Sequence, residues 1–295
     1  MNARERGFAL LCSHLGDPDR KCLTLAQFRT LAKRVSLMHR PLVQRELALA
    51  DLKELGYSPE LAQRILQLLR QEDQLDWYMQ KAAKAGCRIL TRLSEGYPPA
   101  LRSRLGLDAP ACLWVKGDPT LLSVPAVCLV GSRVLNVPNE AFAKAVGAQA
   151  ARQGYVLVSG NARGADTAAQ QSCIASGGRV ISVVADSLCT RPERENILYL
   201  SEDGFDLPFS ALRALSRNRI IHALGEKVFV AQCAFGSGGT WDGTQKNLHK
   251  GYTPVFCFAD GSEAVQALYG MGASGIDEMA LQDFSALQPS EYKLF

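Results

Sequence analysis

The chain has 295 residues, a length suited to about two domains. With 47% hydrophobic and 21% charged residues, it excludes disorder, collagen and coiled coil as the dominant state. The net charge of +4 is uneven: residues 1–90 carry 15 Lys/Arg against 10 Asp/Glu, and the remainder carries 18 against 19, a balance compatible with a nucleic-acid partner and equally with a solvated helical surface.

Residues 1–90 read as helices. Phe8, Leu11 and Leu15 recur at helical spacing, as do Leu25, Phe28, Leu31 and Val35. At Leu55-Gly56-Tyr57-Ser58-Pro59-Glu60 the chain is punctuated. Gly56 suits the left-handed residue just past a helix end, Ser58 a cap, and Pro59 the first position of the next helix. Leu61, Ile65, Leu68 and Leu69 then form one apolar face. Short helices joined by tight Gly turns resemble a helix-hairpin-helix or SAM-like bundle, which suits packing as well as binding. No apolar run approaches the roughly 20 residues that cross a bilayer. The opening residues have too short an apolar core, and no small-residue cleavage site, for a signal peptide. A cytoplasmic protein with no membrane partner is expected.

From 91 to 125 the chain is rich in Pro and Gly, with a short strand at 113–116. Beyond 126, apolar runs at 126–130, 155–158, 180–185, 228–231 and 255–258 alternate with helical stretches at 139–153, 165–176, 211–224 and 240–250. Continuous apolar runs suit strands covered on both faces, and the alternation predicts an α/β fold with a doubly wound parallel sheet. The expected division is a helical domain at 1–90, a Rossmann-like domain at 91–285 and a tail at 286–295.

Ligands of open parallel sheets sit beyond the carboxyl ends of the strands. The loops expected there are Gly131-Ser132-Arg133, Ser159-Gly160-Asn161-Ala162-Arg163-Gly164-Ala165-Asp166 and Phe235-Gly236-Ser237-Gly238-Gly239-Thr240. Glycines let the backbone approach a ligand and turn N–H groups inward, and helix starts behind them add unpaired donors; together these predict an anion site. Arg133 and Arg163 suit phosphate oxygens. Asp166 suits a ligand hydroxyl or a helix cap. On the helix before the fourth run, Arg213 and Arg217 are four apart and share a face that can point to the loops, while Ile220, Ile221 and Leu224 pack inward.

Other chemistries find little support. The nine cysteines form no CxxC pair, and His14, His39, His222 and His249 fall near no cysteine cluster, so no metal site or disulfide framework is expected. The cysteines read as small buried side chains in a reducing compartment. No Gly-x-Ser-x-Gly elbow and no Gly-Lys-Ser/Thr phosphate loop occurs, so neither a catalytic residue nor a cofactor is expected.

Taken in this order, Tyr97-Pro98-Pro99, 113–117, Val130-Gly131-Ser132-Arg133, the Ser159–Asp166 loop, Arg217-Asn218-Arg219-Ile220-Ile221 and Gly272-Ala273 resemble the DprA/Smf family of DNA-processing proteins, over about 180 residues. That resemblance implies an extended Rossmann-like fold and sequence-independent binding of single-stranded DNA. It also implies a homodimer, transfer of the strand to a RecA-type recombinase in natural transformation, and no enzymatic activity. Gly131, Ser132, Arg133, Ser159, Gly160, Arg163, Gly164, Asp166, Arg217, Asn218, Arg219, Gly238, Gly239 and Thr240 are the residues expected at the phosphates. Asn161 and Ala165 stand where the family has apolar residues, and Ala214-Leu215 where it has Phe-Pro. Only 23 residues follow Gly272, so the winged helix of many members is expected to be missing.

The loop Gly238-Gly239-Thr240 also resembles, in part, the PGG-x-GT-x-x-E loop of LOG-type phosphoribohydrolases. This resemblance implies the alternative of a nucleotide sensor or phosphoribohydrolase-like enzyme, with Asp242 as the substitute carboxylate. Few aromatic residues fall near the loops, namely Trp241, Phe235 and Tyr199, so phosphate contacts are expected to dominate over base stacking.

Overall fold

Short runs of Val, Leu, Ile and Phe in the second half of the chain make strands with nearly every residue buried, because helices cover both sides. The computed structural model describes residues 1–38 and 46–289; residues 39–45, including His39, and 290–295 of the tail lie outside the described residues. Among the described residues, nine strands form one sheet: β1 (Cys87–Thr91), β2 (Cys112–Lys116), β3 (Ala126–Val130), β4 (Val156–Ser159), β5 (Val180–Val183), β6 (Ile197–Ser201), β7 (Val228–Val230), β8 (Val255–Phe258) and β9 (Ser274–Ile276). Their order is β1-β2-β6-β5-β4-β3-β7-β8-β9. From β6 to β9 all neighbours are parallel, while β1 and β2 add an antiparallel margin through the β2–β6 pairing.

Alternate residues of β3 face opposite cores. Val127 and Leu129 pack with Leu157, Phe229 and Phe256 beneath α7 (Val137–Arg152) and α8 (Ala165–Ala175). Cys128 and Val130 face Leu101 of α6 (Pro99–Leu105), Ile220 and Ile221 of α10 (Asn218–Leu224), Trp241 of α11 (Gly238–Lys250) and Leu268 of α12 (Glu263–Gly270). This is the doubly wound α/β fold.

The leading helices are α1 (Ala3–Cys12), α2 (Leu25–Ser36), α3 (Leu49–Glu54), α4 (Pro59–Leu69) and α5 (Glu72–Lys84). Gly56 takes φ +78°, and the Ser58 side chain accepts from Leu61 N–H at 3.3 Å with Pro59 at the first helical position. Ile65 and Leu68 are buried from the apolar face of α4. Leu15 departs from the helical reading: α1 ends at Cys12, and Leu15 sits in a turn with φ +49°. The group docks on both cores, through Phe8, Leu52 and Ile65 on one and Leu75 and Tyr78 on the other. Tyr78 Oη donates to Asp206 at 2.6 Å, and Lys81 pairs with the same carboxylate at 2.7 Å.

Three strands lie outside the runs singled out in the sequence. β1 starts at Cys87 inside the stretch read as helical; it is a margin strand whose middle is partly exposed. β6 carries Ile197-Leu198-Tyr199-Leu200 between polar turns, and β9 has only three residues. In the other direction, the stretch 211–224 is two helices, α9 (Ala211–Ser216) and α10, divided at Arg217.

α7 and α8 cross closely at Gly147, where a Cβ would collide with the carbonyl of Ala169. Gly147→Ala is therefore expected to destabilise the protein by about 2 kcal/mol through overpacking. Thermal unfolding followed by circular dichroism checks this, and an unchanged midpoint contradicts it.

Candidate functional site

Strand order reverses around β3: β4, β5 and β6 lie on one side, and β7, β8 and β9 on the other. Connections from β3 and β7 therefore diverge at their carboxyl ends and leave a crevice. A cavity of about 760 Å3 opens there. Gly131, Ser132, Arg133 and Val134 line it from the β3 loop; Ser237, Gly238, Gly239 and Thr240 from the start of α11; and Phe209, Leu215, Arg217, Asn218 and His222 from the α9–α10 segment.

The glycines of the first two loops face protein. A Cβ on Gly131 would stand 2.5 Å from the Ala165 Cβ. On Gly160 it would strike the Arg217 guanidinium, and on Gly164, at φ +82°, the backbone of Ser132 and Arg133. Close approach is thus between segments, and it locks the β3 loop, the β4 loop and Arg217 together.

Three N–H groups of the β4 loop are consumed within the protein. Gly160 and Ala162 both donate to Asp166 Oδ2 at 3.1 Å, and Ala165 at the start of α8 donates to Ser132 O at 3.1 Å. This narrows the expectation that this loop turns its amides toward a ligand: Asp166 turns back onto the loop and takes two of them. Ser159 is also structural, its buried hydroxyl accepting from Gln170 Nε2 at 2.5 Å. The start of α11 differs. No side chain caps it, although Gly238, Gly239 and Thr240 line the cavity, so its amides and dipole are available to an anion. Thr240 Oγ1 donates to Gly131 O at 3.0 Å and ties this end to β3.

The arginines divide by what they touch. Arg217 is half-buried; Nη2 donates to Gly160 O and Nη1 to Asn218 Oδ1, both at 3.1 Å, while Nε has no partner among the described residues. Asn218 Nδ2 donates to Gly239 O at 2.9 Å, so one chain of bonds joins the β4 loop to α11. Arg133 stands exposed at the mouth, with no hydrogen bond or ion pair among the described residues. Arg163 is likewise exposed and unpaired among them, but stands outside the lining.

Two arginines point elsewhere. Arg219 pairs with Glu202 and donates to Asp108 O at 3.0 Å, in a separate groove. Arg213 spends its donors on Asp203 at 3.1 Å, Ser201 Oγ at 2.9 Å and Ala185 O at 3.0 Å. The shared face expected for Arg213 and Arg217 is therefore not maintained, because each guanidinium goes to the acceptors nearest to it.

Three groups, two of them buried and Arg217 half-buried, carry the electrostatics of the floor. Burial pushes the Asp166 carboxyl above its ordinary range, opposed by Arg217 and by the two loop amides. Burial pulls the Arg217 guanidinium down, opposed by Asp166. His222 is 1% exposed; burial, with Arg217 adding to it, pushes its imidazole down to about 4, and its Nδ1 has no partner among the described residues.

Of the aromatics expected near the loops, Tyr199 is buried in β6 and Trp241 beneath α11, while Phe235 is exposed and stands edge-on to Trp241 at 5.1 Å. The sequence reading omitted Phe209, which is 60% exposed and lines the mouth; a lone Phe beside Pro208 carries no periodic signal. Asp242, the alternative carboxylate, is exposed on α11 and is not among the lining residues.

Residues 88–242 match the sequence model of the family described as DNA recombination-mediator protein A. Protein Smf of Escherichia coli is 30% identical over 217 residues, covering 69% of this chain and 56% of the relative. The DNA processing protein DprA of Streptococcus pneumoniae is 34% identical over 141 residues, covering 44% and 50%. The chain thus spans about half the length of the curated relatives it matches. A solved structure of the S. pneumoniae protein superposes with a TM-score of 0.73 at 24% identity, covering 98% of this chain and 99% of that one. A second, of DNA processing protein A from Helicobacter pylori and its single-stranded DNA binding mode, gives 0.55 at 23% identity, covering 66% and 94%.

The buried imidazole makes stability sensitive to acid. The unfolded chain takes up a proton near the ordinary 6.5, whereas folded His222 resists it down to about 4, so stability is intact above the upper value and is lost as pH falls between the two. His222→Gln is expected to remove about 3 kcal/mol of that loss. Urea midpoints of both proteins across this window check it; parallel declines contradict it.

Proposed function

The chain belongs to the family of DNA recombination-mediator protein A, and on that premise we propose that it binds single-stranded DNA, with backbone phosphates held at the crevice beside β3. The observation that carries this reading is the meeting of an unpaired guanidinium, Arg133, with the uncapped start of α11 at one cavity mouth. Neither reads a base edge, so binding is independent of sequence and weakens with salt. Within this reading, Arg217 and Asn218 hold the cradle in shape. Arg163 stands outside the lining, where it can meet phosphates farther along the chain of nucleotides. The wider role proposed with it is that of a recombination mediator: a homodimer that receives a strand and passes it to a RecA-type recombinase. Binding is favoured over hydrolysis because Asp242 stands outside the cavity.

Arg133→Ala is expected to weaken single-strand binding about tenfold and to flatten the slope of log K against log salt by about 0.7, the loss of one phosphate contact. Arg219→Ala is expected to leave that slope unchanged, since its guanidinium is engaged by Glu202. Fluorescence titrations of a labelled oligonucleotide over a salt series measure both. A normal slope for Arg133→Ala would falsify the placement of the phosphates.

A further inference from the structure

Six of the twelve large apolar side chains most exposed among the described residues cluster on the segments around one opening. Val134, Phe209 and Leu215 line the mouth of the cavity, at 81%, 60% and 44% exposure. Val137, Leu212 and Phe235, at 83%, 78% and 52%, lie within three residues along the same segments. Leu212 and Leu215 stand three apart on α9, and Phe209 lies just ahead of the helix, before its cap residue Ser210. Concentrated apolar exposure costs solvation free energy, and around a cavity it marks a surface built to be covered.

What covers it must also satisfy the polar floor. Arg133 and the start of α11 call for an anion, and the side chains a few residues away call for flat, weakly hydrated faces. An apolar protein segment meets the second demand and leaves Arg133 without a counter-charge. Duplex DNA meets the first, but its bases are stacked and paired inside. A strand with unpaired bases meets both. Resting on the reading that the cavity holds a single strand, we propose that the apolar rim is where the bases flanking the held phosphates lie, and that this rim, rather than the arginines, gives the site its preference for single strands over duplex. The arginine cradle sees phosphates that both forms present; only the rim sees something a duplex hides.

The two contributions separate by their salt dependence. Covering apolar surface with bases releases no counter-ions, so removing a rim side chain lowers affinity without changing the slope. Phe209→Ala is expected to weaken binding of a single strand about tenfold at every salt concentration, with the slope and the weaker duplex binding unchanged. Phe209→Trp restores an aromatic face and is expected to restore affinity. An abasic strand of equal length, carrying the same phosphates without bases, is expected to bind the parent and Phe209→Ala equally. Phe209 is exposed, and circular dichroism confirms that the variants fold. Equal loss for single strand and duplex, a changed slope, or weaker binding of the abasic strand by Phe209→Ala each overturns the proposal. So does unaltered single-strand binding by Phe209→Ala, the result expected if the rim docks another protein. If the parent binds no single strand at all, the reading of the cavity itself fails, which is a different result.

Discussion

The bond from Arg217 to the carbonyl of Gly160 is the contact around which the crevice is organised. The guanidinium presses on Gly160 so closely that a Cβ there would displace it. The same loop is held from the other side by the Asp166 carboxylate, which takes two of its amides. A half-buried cation and a buried anion thus grip one short turn, and each moderates the cost of burying the other. Through Asn218 the grip extends to Gly239 and positions the start of α11 opposite Arg133. Remove Arg217, and Asp166 keeps its two amides but loses its nearby positive charge, while the turn loses its outer wall.

The site therefore depends on a division of labour among like residues. Arg213, Arg217 and Arg219 fall within seven positions, and each is committed to holding protein together, through Asp203, Gly160 and Glu202. Arg133 and Arg163, in loops with little to bond to, keep their charge for something else. Burial and partner supply make this distinction; residue type does not.

Much of the architecture is legible in the sequence, because fully covered strands leave continuous apolar runs. β3 and β8 appear with their observed limits, and the Gly56–Pro59 punctuation appears with each residue in its expected position. β6 carries the same kind of run, Ile197-Leu198-Tyr199-Leu200, outside the expected strands; β1 and β9 do not carry it, being partly exposed or three residues long. The candidate site was legible in location and less so in detail. Its glycine loops do lie at one end of the sheet, since a topological rule places them there. A glycine in a sequence says that something approaches the backbone, and here the visitors are Ala165, Arg217 and the β3 loop itself. Exposure of Phe209, Leu212 and Val134 has no sequence signature, because an apolar residue looks the same whether it faces a core or water.

The two margins of the sheet are unequal. α1 and α5 lie against β1 at one margin, and at the other β9 presents three residues. Sheets lengthen from molecule to molecule by lateral strand addition, which needs a long, flat, uncovered border. A border of three residues offers little room for such addition.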